Sequence, residues 1–139
     1  MDIEAFVLCD AATNYQGRLN ILGTFDSIWV RQLPASHPHC AVALRLRFSR
    51  IEEGEHKVKI NIIDEDGQSI APPLNANANL VFKENSENSV ATNLIMNVNG
   101  LKLEKYGNFA VDLAIDGRQE ASLPLKVRKP PEAEQPPEQ

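Results

Sequence analysis

Phe109, Val111, Leu113 and Ile115 alternate with Ala110, Asp112 and Ala114, and beyond Asp116-Gly117 the same spacing returns in Ala121, Leu123, Leu125 and Val127. Spacing by two puts one set of side chains on one face of an extended strand, so these residues predict a β-hairpin with a single buried side. The parity of the connection adds a constraint. A two-residue Asp116-Gly117 loop pairs Ile115 with Arg118 and sets Leu113 opposite Glu120, which mixes apolar and charged groups on one face. An odd-numbered loop with a glycine bulge keeps Leu113 against an apolar partner and is the loop expected here.

The same period recurs upstream. Residues 3–10 read as a strand apolar on both sides, suited to a central or sheet-crossing position, and Asn14-Tyr15-Gln16-Gly17 reads as a turn. Residues 19–33 are rich in β-formers but change phase near Gly23, which predicts a bulge or bend there. Residues 33–39, with Pro34 and Pro38, predict a loop. Val42, Leu44, Leu46 and Phe48 alternate with Ala41, Ala43, Arg45 and Arg47, and Val58, Ile60 and Ile62 alternate with Lys57, Lys59 and Asn61. Read as two arms of a hairpin with Leu46 facing Val58, these strands set Arg47 opposite Lys57 and Arg45 opposite Lys59.

Asp64-Glu65-Asp66-Gly67 is a turn, Pro72-Pro73 and the Asn-Ala repeats at 75–79 predict irregular chain, and residues 80–82 a short strand. Residues 90–98 form a further strand with one wet face, and Asn99-Gly100 a turn. Pro124 cannot donate to a ladder, so the last strand should lie at a sheet edge or carry a bulge. Residues 129–139 hold no large apolar side chain and predict a disordered tail. About eight strands with polar turns at short intervals predict an all-β fold, an antiparallel β-sandwich of immunoglobulin-like type, over residues 1–128.

At 139 residues and 42% hydrophobic, one domain with a sizeable core is expected. The formal charge of −5 argues against nucleic acid, whose binders carry a basic excess. Acidic residues open the chain where a signal peptide has basic ones, and no apolar run approaches the roughly 20 residues that span a bilayer. A cytoplasmic protein without a membrane partner is expected. Cys9 and Cys40 then read as buried free thiols.

Cys9-Asp10-Ala11-Ala12, followed by Gly17-Arg18-Leu19-Asn20-Ile21-Leu22-Gly23-Thr24-Phe25-Asp26, resembles the N-terminal signature of a family of short, uncharacterised bacterial proteins. The similarity continues through Pro34 to Phe48 and, more weakly, to Val127. It implies a β-sandwich and a bacterial source. It carries no activity and no functional residues.

Cys9, Asp10, His37, His39 and Cys40 are the residue types that hold zinc, but they lack paired ligand spacing, and Cys9 and Asp10 point to opposite faces of a strand. Cys9 with His37 as nucleophile and base lacks a third, orienting group. Asp64, Asp66, Asp112 and Asp116 could gather around calcium, yet turn chemistry accounts for Asp-Gly equally well. No catalytic, cofactor or metal site is expected. The candidate interaction surface is Arg45, Arg47, Lys57 and Lys59, whose like charges would need neighbouring carboxylates, solvent or an acidic partner, together with Trp29 and Arg31 if their face is open to solvent. A non-enzymatic binding or scaffold module acting on another protein, with homo-oligomerisation as a further option, is the leading expectation. The alternatives are a lectin-like module using Trp29 and the asparagine-rich segments, and a metal-assisted hydrolase built on Asp10, His37 and His39.

Overall fold

Val42, Leu44 and Leu46 are fully buried and Phe48 is 1% exposed, the outcome that strict alternation demands of a strand lying between two apolar layers. The computed structural model describes residues 1–85 and 87–132. Among these, nine strands run in order: β1 (Asp2–Tyr15), β2 (Arg18–Thr24), β3 (Ser27–Trp29), β4 (Ala35–Ser49), β5 (Gly54–Ile63), β6 (Leu74–Leu80), β7 (Ser89–Leu103), β8 (Gly107–Ile115) and β9 (Arg118–Arg128). One sheet has the order β2-β1-β4-β7 and the other β3-β9-β8-β5-β6. Their inner faces share one core that includes Leu44, Phe48 and Leu103 from the first sheet and Ile60, Val111, Leu113 and Leu125 from the second. Each such leucine taken from water contributes about 1.5–3 kcal/mol. No helix among the described residues is long and apolar enough to cross a membrane.

The last hairpin keeps its expected buried side but solves the parity problem differently. Ile115 pairs with Arg118, so the loop is the two residues Asp116-Gly117, both at positive φ, 53° and 81°. The ladder then shifts between Leu113 and Ala114, leaving Glu120 as the extra residue and returning Leu113 to a position opposite Ala121. The odd-numbered loop is thus corrected to an even one followed by a bulge: the left-handed pair suits the strand twist, and the bulge restores the apolar register.

Other expectations are corrected in the same way. β3 pairs with β9 in parallel, so the fold is not wholly antiparallel. The segment read as a loop through Pro34 and Pro38 belongs to β4 from Ala35 onward, because at Pro38 the strand has a neighbour only in β7 and β1 joins it no earlier than Ala41. Asn99-Gly100 does not turn the chain, since β7 runs through it with Gly100 at φ 67°. There both paired strands exchange faces: His37 and Leu101 share the inward phase of odd positions, Cys40 and Val98 that of even ones. The Asn-Ala repeats form β6 against β5, with Ala76 and Ala78 turned toward the core. Pro124 is exposed, on a stretch of β9 that β3 does not yet reach, as an edge proline should be. Of the tail expected over 129–139, residues 133–139 lie outside the described residues.

The expected hairpin between the 41–48 and 58–62 strands does not form. β4 pairs with β1 and β7, while β5 pairs with β6 and β8 in the other sheet. A short 3-10 turn at Arg50–Glu52 carries the chain across. Ser49 caps it, with the Glu52 carboxylate accepting hydrogen bonds from the Ser49 backbone N–H and hydroxyl, both at 3.0 Å.

Candidate functional site

Since β4 and β5 lie in different sheets, the four cations expected to share one face are split into two pairs. Arg45 and Arg47 lie on the outer face of the first sheet and both close on Glu4. Glu4 is the extra residue of a β-bulge between Ile3 and Ala5. Its carboxylate accepts hydrogen bonds from Arg45 Nε at 3.0 Å, Arg47 Nε at 2.8 Å and Arg47 Nη2 at 3.3 Å. Bulges re-aim a side chain, and this one turns a single carboxylate onto two guanidinium groups. The Arg47 hydrogen bond holds the Glu4 carboxyl below its ordinary pKa, outweighing the opposing desolvation, and the Arg45 hydrogen bond adds to it. Sequence reading missed Glu4 because its partners are assigned only once β1 is known to lie beside β4.

Arg45 also fastens a flap. β1 stays beside β4 only as far as Cys9, and the rest of its hairpin with β2 folds back over the outer face of the same sheet. At the tip, Gln16 and Gly17 turn with φ of 51° and 74°. The Gly17 carbonyl accepts from Arg45 Nη1 at 3.3 Å and from Asn93 Nδ2 at 3.1 Å, and the Asn93 amide also reaches Asn14 Oδ1 at 3.1 Å. Beneath the flap, Cys9, Ala41 and Ala43 are fully buried, with Val7, Ala12, Leu19 and Ile95 packed around them. Small side chains on an outer sheet face are the local cause, because they let a second layer of backbone approach. The bend sits at the expected place: Gly23 has φ 68°, and any Cβ there would collide with the Asp10 carboxylate.

Lys57 and Lys59 point outward from the second sheet, opposite Asn77 and Asn75, and their ammonium groups make no hydrogen bond or ion pair among the described residues. Trp29, by contrast, is a solvent residue, 56% exposed. Ile28 pairs with Val127 toward the core, which sends Trp29 and Arg128 to the outer face together, the Arg128 guanidinium lying 5.8 Å from the ring centroid. Arg31 follows on the exposed side and lines a shallow hollow with Lys129, Pro130, Pro131 and Glu132. The Tyr106 hydroxyl donates to the Val30 carbonyl at 2.8 Å and anchors the end of this edge. Where β3 has not yet begun, a cleft of about 400 Å³ opens between Phe25, Asp26, Leu123 and Pro124. β3 and β6 are opposite edges of their sheet, so Trp29 and the asparagines of β6 do not form one surface.

The metal and catalytic constellations do not assemble. Cys9 lies under the flap and Cys40 in the main core, on opposite faces of their sheet; burial pushes the Cys40 thiol up to about 11. His37 packs 5.7 Å from Phe25, and His39 Nδ1 lies 2.7 Å from Asn99 Oδ1. Asp64 binds Lys105 at 3.0 Å, Asp112 accepts from Ser122 at 2.6 Å and Asp116 meets His56 at 2.7 Å, three separate places. Among the described residues no three His, Cys, Asp or Glu side chains gather closely enough to hold a metal ion. The one His-Asp pair among the described residues, His56 with Asp116, has its second ring nitrogen 2.6 Å from the Glu52 carbonyl, so neither nitrogen is open to a substrate.

No curated protein matches the chain. Residues 4–128, nearly the whole of the strand-forming chain, match the model of a family of unknown function. The chain belongs to that family, DUF6941.

Proposed function

We propose that this protein is a non-enzymatic binding module of immunoglobulin-like type that takes another protein at its β3 edge. The observation that carries the reading is Trp29: a large aromatic residue more than half exposed on a short strand paired to β9, with the Arg128 guanidinium beside its ring. Exposed tryptophan and arginine are the side chains that dominate binding energy at protein interfaces. The cation against the ring favours an acidic group on the partner surface. Strand order supports the immunoglobulin-like assignment. β1, β4 and β7 stand as one sheet of a Greek key and β9, β8, β5 and β6 as the other, with β3 crossing to run parallel to the last strand. Two buried free thiols fit a reducing compartment, and a bacterial cytoplasm is the location we infer.

Arg45 and Arg47 drop out of the interaction surface in this reading, because Glu4 and the flap occupy them. Lys57 and Lys59 stay available, but without an aromatic neighbour. The test is affinity capture from native cytosol with wild type beside Trp29→Ala and Arg128→Glu, each verified as folded by circular dichroism, followed by reconstitution of any retained species from purified components. A complex that forms with wild type and is weakened at least about tenfold by both substitutions supports the reading. A complex indifferent to both sinks it.

A further inference from the structure

The first sheet ends at β7, a strand of 15 residues whose sole ladder among the described residues is with β4. Every second residue along its other side presents an N–H and a C=O with no strand to meet them. Natural edges of this length are blunted by lysine, proline or an inward charge. Until Lys102 near its end, β7 has none of these: from Ser89 to Leu101 there is no Asp, Glu, Lys, Arg, His or Pro. The other edges are managed. β3 is three residues long, β2 is folded into the flap, and β6 is seven residues long and preceded by Pro72-Pro73.

We infer that the β7 edge pairs with the β7 edge of a second copy of this chain, antiparallel about a two-fold axis, joining two four-stranded sheets into one. Charge selects this occupant. In an isologous pair each residue meets its own counterparts, so any charge near the axis would face the same charge, and a neutral strand is the self-complementary one. The neutral run is bracketed by Glu87 at one end and Lys102 at the other. Antiparallel pairing brings the Glu87 end of one copy toward the Lys102 end of the second, whereas parallel pairing would bring like toward like. From Asn97 onward the segment 70–74 flanks the edge across a cleft, so the two-fold axis falls within the first half of β7, near Asn93. The Asn93 side chain is engaged with the flap on the outer face, which leaves the backbone edge available. This surface is separate from the Trp29 edge, and the two readings stand or fall independently.

Sedimentation equilibrium of the full chain between about 1 and 300 μM tests it, a range that spans weak to moderate homodimers. Wild type should follow a monomer–dimer equilibrium. With the axis at Asn93, Ser89 of one copy lies opposite Asn97 of the other on the outer face, so a Ser89→Lys/Asn97→Lys variant sets lysines against one another across it and should raise the dimer Kd by about tenfold or more. A Ser89→Glu/Asn97→Glu variant should be weakened likewise, and mixing the two should restore a heterodimer, an outcome that misfolding cannot produce. If either double variant loses its circular dichroism spectrum, Asn97→Lys mixed with Ser89→Glu replaces the pair and should form the heterodimer. A wild type that stays monomeric throughout, or a dimer that ignores these substitutions, or variants that fail to recover on mixing, would overturn the inference.

Discussion

His56 Nδ1 lies 2.7 Å from Asp116 Oδ2, and this contact ties the β8–β9 turn to the start of β5 across 60 residues of chain. Asp116 secures the same junction a second time by accepting the Lys57 backbone N–H at 2.9 Å. His56 completes it by stacking on Phe48, ring centroids 4.7 Å apart. The arrangement joins an edge of the core to a turn, and its strength depends on charge.

The Glu52 carbonyl and then Asp116 raise the His56 pKa, while the Lys57 N–H and then His56 lower that of Asp116. A raised histidine stabilises fully below its unfolded value, about 6.5, and loses that contribution as pH rises through the higher folded value. A lowered aspartate stabilises above about 3.9 and loses its contribution as pH falls through the lower folded value. The pair therefore contributes most between about pH 4 and 6.5. Half of Asp116 faces solvent, which holds the contribution to about 1 kcal/mol. Urea midpoints of wild type and His56→Gln should differ most at pH 5–6 and converge toward pH 9; a gap that widens with pH would contradict the assignment.

Glu4→Gln leaves Arg45 and Arg47 facing one another on the outer sheet face with their shared carboxylate gone. The variant should unfold at lower urea than wild type in low salt, and the gap should shrink at 1 M salt as both the lost attraction and the new repulsion are screened. An equal gap at both ionic strengths would assign the loss to packing.

Gly23→Ala meets two obstacles, a left-handed backbone and the Asp10 carboxylate. The expected cost is about 1–2 kcal/mol in chemical denaturation. Repeating the substitution in an Asp10→Ala background separates them: the steric part should vanish and about 1 kcal/mol should persist. Full recovery would mean that the bend carries no conformational strain.

Cys9 reports on the flap and Cys40 on the core. Both thiols should resist a disulfide reagent in the native protein, with Cys9 the faster because raising the flap exposes it while the main core stays packed. Asn93→Ala removes the hydrogen bonds to Asn14 and Gly17 and should speed Cys9 labelling about fivefold, with Cys40 unchanged. Equal acceleration of the two cysteines would point to global unfolding and dismiss a separately moving flap.

Alternation in the sequence determined that this chain is built of strands, which side chains of β4, β5, β8 and β9 turn inward, where Gln16-Gly17 and Asp116-Gly117 reverse the chain, and that Pro124 needs an edge. Those properties are local, set by side-chain period, turn conformations and a missing N–H. What a period of two leaves open is which strand lies beside which. Leu46 and Val58 could face each other across a hairpin or point into one core from two different sheets, and both choices bury them equally. Tertiary structure chose the second, and with it separated Arg45 and Arg47 from Lys57 and Lys59, brought Glu4 onto both arginines and laid the flap over Cys9. Pairing between distant segments depends on the sum of contacts along whole strands and on where bulges shift the register, and neither is written in the neighbourhood of any one residue.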